Sequence, residues 1–278
     1  MRTLWRNACV ALLTLLLTST SMASARGDTE QRVLFVGNSL TYVNSLPVIF
    51  ELTAQAQSGS PRYRADMYVR GGARLSELAQ EPKLNALLDS GVYQIVVLQE
   101  RGGDVLCLRE ASGTEEDARE RCNHMTAAHL TLARQAREHG ARVLYMGTYQ
   151  SVSRFSQMLV SAEAELGHKM GAPALEISET LRSLQQQHAD FPWLYVDNSH
   201  PGIATTALMA LRAYQALHPD EPLKPYALCT GIELYTNHLG DRTFVTHDDL
   251  KAKAGPRRCL LSEAQTGAII DALSTPAD

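Results

Sequence analysis

Val33-Leu34-Phe35-Val36-Gly37-Asn38-Ser39-Leu40-Thr41 joins an apolar run to a polar turn and a helical pattern. Four consecutive apolar residues predict a buried strand, and the Gly-Asn-Ser that follows is typical of a tight turn into a helix. A serine in such a turn lies near free N–H groups of the helix, which favour developing negative charge. Ser39 is therefore the candidate nucleophile. The alternative is that Ser39 or Thr41 only caps the helix.

A second stretch, Trp193-Leu194-Tyr195-Val196-Asp197-Asn198-Ser199-His200-Pro201, again follows an apolar run with a polar loop. Asp197 precedes His200 by three residues, a spacing that lets the carboxylate reach Nδ1 while Nε2 faces a serine. His200 is the candidate general base, and Asp197 would set its tautomer. We reject Ser199 as a nucleophile because adjacent side chains in an extended loop point apart. The alternative is that Asp197 and His200 only cap a helix or stabilise a turn and take no part in catalysis.

Strand-like and helix-like segments alternate along most of the chain. The strand patterns fall at 32–36, 64–69, 94–98, 142–146 and 193–196, with a weaker one at 174–177. The helical patterns fall at 46–57, 76–89, 115–139, 155–170, 178–188 and 203–217. The strands lack polar alternation, which is typical of a parallel sheet covered on both faces. We predict a single-domain three-layer α/β/α fold with a flavodoxin-like sheet, in which both motifs lie at the carboxyl ends of strands, where ligands bind.

The two ends of the chain differ from this pattern. The first 25 residues carry Arg2 and Arg6, an apolar stretch over 8–17 and Ala23-Ser24-Ala25, which predict a signal peptide. The apolar stretch is shorter than the roughly 20 residues of a bilayer span, although an uncleaved anchor is the alternative. We therefore predict an exported protein, periplasmic or secreted, with no membrane span after cleavage. Residues 26–278 form one domain, in which prolines after position 218 start a C-terminal extension at about 219–278.

Four cysteines remain after the predicted cleavage: Cys107, Cys122, Cys229 and Cys259. An even count in an exported chain indicates disulfides. Of the three pairings, we favour Cys107–Cys122 and Cys229–Cys259, because each pair brackets a polar, loop-like segment. Free thiols are the alternative.

The bulk properties exclude some classes of function. The formal charge of −4 leaves no basic excess for nucleic acid. The sequence has neither a CxxC nor an HExxH pattern, so no metal site is predicted. It also lacks the Gly-rich phosphate loop of a flavodoxin-like nucleotide binder.

Four motifs taken together resemble the sequence blocks of the SGNH (GDSL-like) hydrolase superfamily. They are Gly37-Asn38-Ser39-Leu40, Gly71-Gly72, Leu98-Gln99-Glu100 and Asp197-Asn198-Ser199-His200-Pro201. They occur in the family's order, and the resemblance covers about Val33 to Leu217. It implies the SGNH hydrolase fold and ester hydrolysis by a Ser39, His200 and Asp197 triad. It implies no metal and no cofactor.

The resemblance also implies an oxyanion hole formed by the backbone N–H groups of Ser39 and Gly72 and the side-chain amide of Gln99. Gly71 competes with Gly72, which we prefer for its placement relative to Leu75. Gln99 departs from the family's usual asparagine, but its amide is the same group on a longer arm, and similar subgroups carry glutamine there. The alternative is a structural glutamine at a strand end.

Asn38 departs from the family's usual aspartate in the first block, and we expect it to brace the loop.

The leading hypothesis is an exported serine esterase acting on short-chain esters. The narrower hypothesis of acetyl esters on a carbohydrate rests on the resemblance and on export. One alternative is an O-acyltransferase of the same superfamily. Another is a non-catalytic carbohydrate-binding module, against which the joint presence of Ser39, Asp197 and His200 argues. The sequence does not specify an oligomeric state.

Overall fold

The protein is described by a computed structural model that covers residues 30–57, 61–110, 116–240 and 243–274. The predicted signal peptide lies outside the described residues. The strands are β1 (Gln31–Gly37), β2 (Tyr63–Val69), β3 (Ile95–Gln99), β4 (Arg142–Met146), β5 (Ala174–Leu175), β6 (Leu228–Ile232), β7 (Phe244–Val245) and β8 (Ala254–Leu261). The helices are α1 (Ser39–Tyr42), α2 (Leu46–Ala56), α3 (Leu75–Leu78), α4 (Pro82–Asp89), α5 (Cys107–Glu110), α6 (Glu116–Glu138), α7 (Ser153–Met170), α8 (Ser178–Gln187), α9 (Ile203–Leu217), α10 (His247–Lys251) and α11 (Glu263–Ser274).

The central sheet has six strands in the order β5-β4-β3-β1-β2-β7. The first five of these are parallel, whereas β7 pairs antiparallel with β2 at one edge. Val33 in β1 lies opposite Ala65 on one side and Ile95 on the other, so β1 occupies the middle of the sheet. The order 2-1-3-4-5 is the flavodoxin-like arrangement. The predicted fold class is therefore confirmed.

Helices cover both faces of this sheet. Alternate residues of β1 point to opposite faces, as the pleat requires. Val33 and Phe35 enter the core beneath α2, α8, α9 and α11. Leu34 and Val36 enter the core beneath α3, α4, α6 and α7. Burial on both faces explains why the strand reads as one continuous apolar run.

The strand predicted at 193–196 is wrong. Trp193 is buried, but Val196 is 87% exposed, and the segment pairs with the other arm of its own loop. Leu194 forms an antiparallel bridge with Pro201, and the N–H of Tyr195 bonds to the carbonyl of His200 at 2.9 Å. The fifth parallel strand is instead β5, the weaker candidate.

The helix predicted at 76–89 is interrupted. Pro82 has no N–H to donate and begins α4, which separates it from α3. The other predicted helices are present with ends shifted by a few residues. None of the helices in the described ranges is both long and apolar enough to cross a membrane.

Residues 219–274, which we call the C-terminal extension, pack against the main sheet and α2. β6 and β8 form an antiparallel pair closed by the Cys229–Cys259 disulfide. Cys107–Cys122 joins α5 to α6, so both favoured pairings are confirmed. α10 is fastened to α2 by His247 and Lys251, which lie 2.6 and 3.0 Å from the buried Glu51 carboxylate. The C-terminal extension therefore contacts α2, the longer helix that follows the Ser39 turn.

Candidate active site

Ser39 is the first residue of α1, and the residue before it holds the turn. The side chain of Asn38 accepts a hydrogen bond from the N–H of Leu40 at 3.0 Å, which caps the helix. Its Nδ2 donates to the carbonyl of Ala73 at 3.3 Å, and only 1% of Asn38 is exposed. Asn38 therefore joins the Ser39 turn to the Gly71-Gly72 turn, as expected of a bracing residue.

Gly72 lies in a tight turn after β2 at the same edge of the sheet. The N–H of Ala73 bonds to the carbonyl of Arg70 at 3.1 Å. The φ of Gly72 is +67°, in the left-handed region that favours glycine. Gly71 does not have a positive φ. This difference supports Gly72, and not Gly71, as the position at which the turn requires a glycine. Its role as an oxyanion donor stays a prediction.

Asp197 and His200 form a close pair in one loop. Oδ2 of Asp197 lies 2.7 Å from Nδ1 of His200, and its Oδ1 accepts the N–H groups of Ser199 and His200, each at 3.0 Å. The hydrogen bond from the N–H of His200, followed by those from Ser199 and the imidazole, lowers the pKa of Asp197 well below its usual range. The carboxylate is therefore ionised at neutral pH and oriented to hold the imidazole.

Ser199 lies on the aspartate side of this pair. Its hydroxyl donates to Oδ1 of Asp197 at 3.2 Å and is 3.5 Å from Nδ1 of His200. The rejection of Ser199 as nucleophile stands, but the reason given from the sequence is wrong, because the neighbouring side chains converge. The hydroxyl is unsuited because it approaches Nδ1 and not Nε2.

The start of α9 holds this loop in a close-packed position. A Cβ on Gly202 would lie 2.1 Å from the carbonyl oxygen of Pro192, so only glycine fits there. The N–H of Gly202 bonds to the carbonyl of Trp193 at 2.7 Å. On the other side, the hydroxyl of Tyr149 donates to the carbonyl of Ser199 at 2.8 Å. Sequence reasoning did not single out Tyr149, which lacks any local signal for this contact.

Gln99 turns its amide towards the interior. Its Oε1 accepts from the hydroxyl of Thr41 at 2.7 Å. Its Nε2 lies 3.3 Å from both the carbonyl of Gly147 and the sulfur of Met209, and the residue is 2% exposed. Both amide hydrogens thus have interior acceptors. This geometry favours the alternative of a structural glutamine over the predicted oxyanion donor.

Glu100 joins two loops at the edge of the sheet. Its carboxylate accepts from the N–H groups of Leu75, at 3.2 Å, and of Arg101, at 2.7 Å. Burial raises the pKa of Glu100 to about 7, whereas burial lowers that of His129, 3.7 Å away, to about 4. His129 is therefore uncharged at neutral pH, whereas Glu100 is divided between its protonated and ionised forms. The sequence placed Glu100 in a motif but assigned it no role.

Glu163 of α7 braces the loop after β4 from behind. Its Oε1 accepts from the N–H and the hydroxyl of Thr148, at 2.8 and 2.9 Å. Its Oε2 has no hydrogen-bond partner among the described residues. Burial raises the pKa of Glu163 to about 8, so the side chain is mainly protonated at neutral pH.

Glu163→Gln should remove a pH dependence of stability. A carboxyl whose folded pKa is raised contributes stability below its unfolded pKa, and that contribution is lost as the pH rises through about 8. One such group changes the unfolding free energy by about 1.4 kcal/mol per pH unit. Denaturant unfolding from pH 5 to 9 should show a flatter profile for Glu163→Gln than for the wild type. Glu165→Gln, on the surface of the same helix, should keep the wild-type slope; an equal slope in Glu163→Gln would contradict the assignment.

A cleft of about 290 Å³ opens beside both motifs. The Ser39 turn contributes Leu40, and the His200 loop contributes Leu194, Asn198 and Ser199. The remaining lining comes from Gly102, Tyr149, Gln150, Ser151, Ser178, Leu181 and Gln185. The cleft is therefore walled by the loops after β3 and β4 and by α8. Within the described ranges, no group of three or more His, Cys, Asp or Glu side chains could hold a metal ion.

The chain resembles solved structures. A DUF4886 family protein from Bacteroides uniformis is 11% identical with a TM-score of 0.52, covering 70% of this chain and 85% of that one. A catalytic mutant of Axe2, an acetylxylan esterase from Geobacillus stearothermophilus, is 12% identical with a TM-score of 0.50, covering 69% and 95%. The fold is that of the SGNH hydrolases. The psychrotrophic esterase EstA from Pseudoalteromonas sp. is 14% identical with a TM-score of 0.47, covering 68% and 97%. No protein-family model matches the chain, and no curated protein matches its sequence.

Proposed function

We propose that the protein is a serine esterase that hydrolyses short-chain esters through Ser39, His200 and Asp197. The observation that carries this proposal is the 2.7 Å contact between Asp197 and His200, made by an ionised carboxylate at the same sheet edge as a serine on a helix N-terminus. That arrangement suits a general base whose second nitrogen is free for a hydroxyl. A catalytic mutant of Axe2, which has the same fold, replaces an aspartate, the residue type that our proposal pairs with the histidine.

The reaction proceeds in two acyl transfers. Nε2 of His200 takes the proton of the Ser39 hydroxyl as the oxygen attacks the ester carbonyl, and Asp197 stabilises the imidazolium that forms. The imidazolium then protonates the leaving alcohol, and the acyl group remains on Ser39. Water, activated by His200, releases the acid and restores the serine. Atoms and charge balance with no cofactor.

The developing oxyanion needs donors that are already oriented. In our proposal the backbone N–H groups of Ser39 and Gly72 serve, since both lie in turns that Asn38 joins. Each donor of this kind contributes about 10²- to 10³-fold in rate. Gln99 supports the sheet edge from within, because its amide bonds to Gly147 and Met209.

The cleft supports a polar alcohol as the leaving group. Gln150, Ser151, Gln185 and Asn198 offer amide and hydroxyl groups along its wall, which can bond to the hydroxyls of a sugar. We therefore propose acetyl esters on a carbohydrate as the substrate, and Axe2, with the same fold, is an acetylxylan esterase.

Export from the cytoplasm is proposed as well, since two disulfides suit an oxidising compartment.

The test is hydrolysis of p-nitrophenyl acetate, butyrate and octanoate, beside an acetylated xylo-oligosaccharide. We expect kcat/KM to be highest for acetate among the p-nitrophenyl esters, as a substrate that carries acetyl groups requires. A fluorophosphonate probe should label one serine, found by peptide mass spectrometry at Ser39. A label on another residue, or faster turnover of octanoate, would contradict the proposal. Adding a free sugar distinguishes the esterase from the acyltransferase alternative. In an acyltransferase the sugar takes the acyl group in place of water, so release of acetic acid falls.

A further inference from the structure

Two consecutive residues after the catalytic helix have an unusual backbone. Asn44 has φ +58° and Ser45 has φ +52°, although neither is glycine. Asparagine adopts the left-handed region more readily than other residues with a Cβ, but two such residues in succession, one of them a serine, persist only where surrounding contacts hold them. These residues separate α1, which begins with Ser39, from α2. Strain next to a catalytic turn requires a structural cause.

The C-terminal extension holds these two residues. The N–H of Asn44 donates to the carbonyl of Tyr235 at 2.8 Å, and the N–H of Tyr235 donates to the hydroxyl of Ser45 at 2.9 Å. Tyr235 is 6% exposed. The ammonium of Lys253 lies over its ring, 3.8 Å from the ring centroid, in a cation–π contact. The reciprocal pair of hydrogen bonds fixes the backbone of Asn44 from the extension side.

The side chain of Asn44 reaches the other motif. Its Nδ2 donates to the carbonyl of Pro201 at 2.7 Å and lies 3.4 Å from the hydroxyl of Thr206. Pro201 directly follows His200. Asn44 therefore spans the distance between the helix that carries Ser39 and the loop that carries the base. The left-handed backbone is what aims the amide at that carbonyl.

We propose that Asn44, held by Tyr235 of the C-terminal extension, is a positioning residue that sets His200 relative to Ser39. This inference rests on the proposed function. The contacts of Asp197 orient the imidazole within its own loop but do not place that loop against α1. The bond from Asn44 to Pro201 supplies this placement. A misplacement of about 1 Å between reacting groups can cost on the order of 100-fold in rate.

The deciding variant is Asn44→Gly in the full chain. Glycine adopts the left-handed φ without strain, so the turn is kept while the amide is lost. We expect kcat for p-nitrophenyl acetate to fall by about 10- to 100-fold, with KM within about twofold, because substrate binding does not use Asn44. Asn44→Asp, which keeps the shape but places an acceptor against the Pro201 carbonyl, should show the same loss.

Gln57→Ala is the matched control. The amide of Gln57 also ties the main domain to the extension, with bonds of 3.0 and 2.9 Å to the backbone of Lys224, but it contacts neither motif. Its kcat should equal that of the wild type. An equal loss of kcat in this control, or unchanged kcat in both Asn44 variants, would overturn the proposal.

Hydrogen exchange gives a readout that does not need turnover. In Asn44→Gly, the peptide over 193–202 should exchange faster. The amides of Tyr195, Asn198 and Gly202 bond to carbonyls within this loop, and the loop should open more often once the bond from Asn44 to Pro201 is lost. The strands β1 and β3 should keep their protection. If the wild type shows no Ser39-dependent hydrolysis, the proposed function fails, and exchange alone decides the positioning role. Unchanged exchange over 193–202 would then refute it.

Discussion

Ser39→Ala should lower kcat for p-nitrophenyl acetate by about 10⁶-fold, a loss of the size seen when a catalytic serine is removed. Without the hydroxyl there is no acyl-enzyme, and the histidine has no nucleophile to activate. The remaining rate comes from binding and from oriented N–H donors. KM should change little, since the hydroxyl contributes mainly in the transition state.

Ser199→Ala is the matched comparison, because it makes the same change in the other motif. Its hydroxyl bonds to Oδ1 of Asp197, so we expect a loss of no more than about tenfold from weaker orientation of the carboxylate. Circular dichroism and thermal unfolding should show both variants folded. A larger loss in Ser199→Ala than in Ser39→Ala would show that Ser39 is not the nucleophile and would refute the proposed triad.

Asp197→Asn should lower kcat by about 10⁴-fold while the protein stays folded. An amide can donate to Nδ1 of His200, which leaves the proton on Nε2, the nitrogen that must accept the proton of Ser39. The carboxylate has a lowered pKa, so its stabilising contribution is present above its unfolded pKa and lost only as the pH falls through its folded pKa. The wild type should therefore keep an ionised Asp197 throughout the pH range of the assay.

Measurement of kcat/KM from pH 5 to 9 tests this role. Asp197→Asn should remain far below the wild type at every pH in that window. Asp190→Asn makes the same chemical change on an exposed residue of the preceding loop and should keep the wild-type profile. A variant of Asp197 that retains more than about a tenth of the wild-type kcat would contradict a triad in which this residue sets the tautomer.

Local pattern was sufficient for the elements with a continuous apolar run. β1 and β4 were predicted to within one residue, and so were α9 and the start of α2. The cysteine pairs were favoured because each brackets a polar, loop-like segment, and both disulfides are present. In all these cases neighbouring residues carry the information.

Local pattern failed where a distant partner decides the conformation. Trp193 to Val196 reads as a strand, yet it pairs with Pro201 and Gly202 of its own loop instead of with the sheet. A run of apolar side chains predicts burial, not the identity of the pairing strand. Here Val196 turns outward, which lets the loop bring Asp197 under His200.

The sequence by itself determined the α/β fold class, most of the parallel strands and the turn that leads from β1 into α1 at Ser39, because these follow from continuous apolar runs and from short motifs at strand ends. Only the tertiary structure decided the direction of the Gln99 amide, whose acceptors Gly147 and Met209 lie 48 and 110 residues away. The same holds for Asn44, which meets Pro201 after 157 residues. A side-chain amide bonds to whichever buried acceptor lies within reach, and packing of the whole chain sets which acceptor that is.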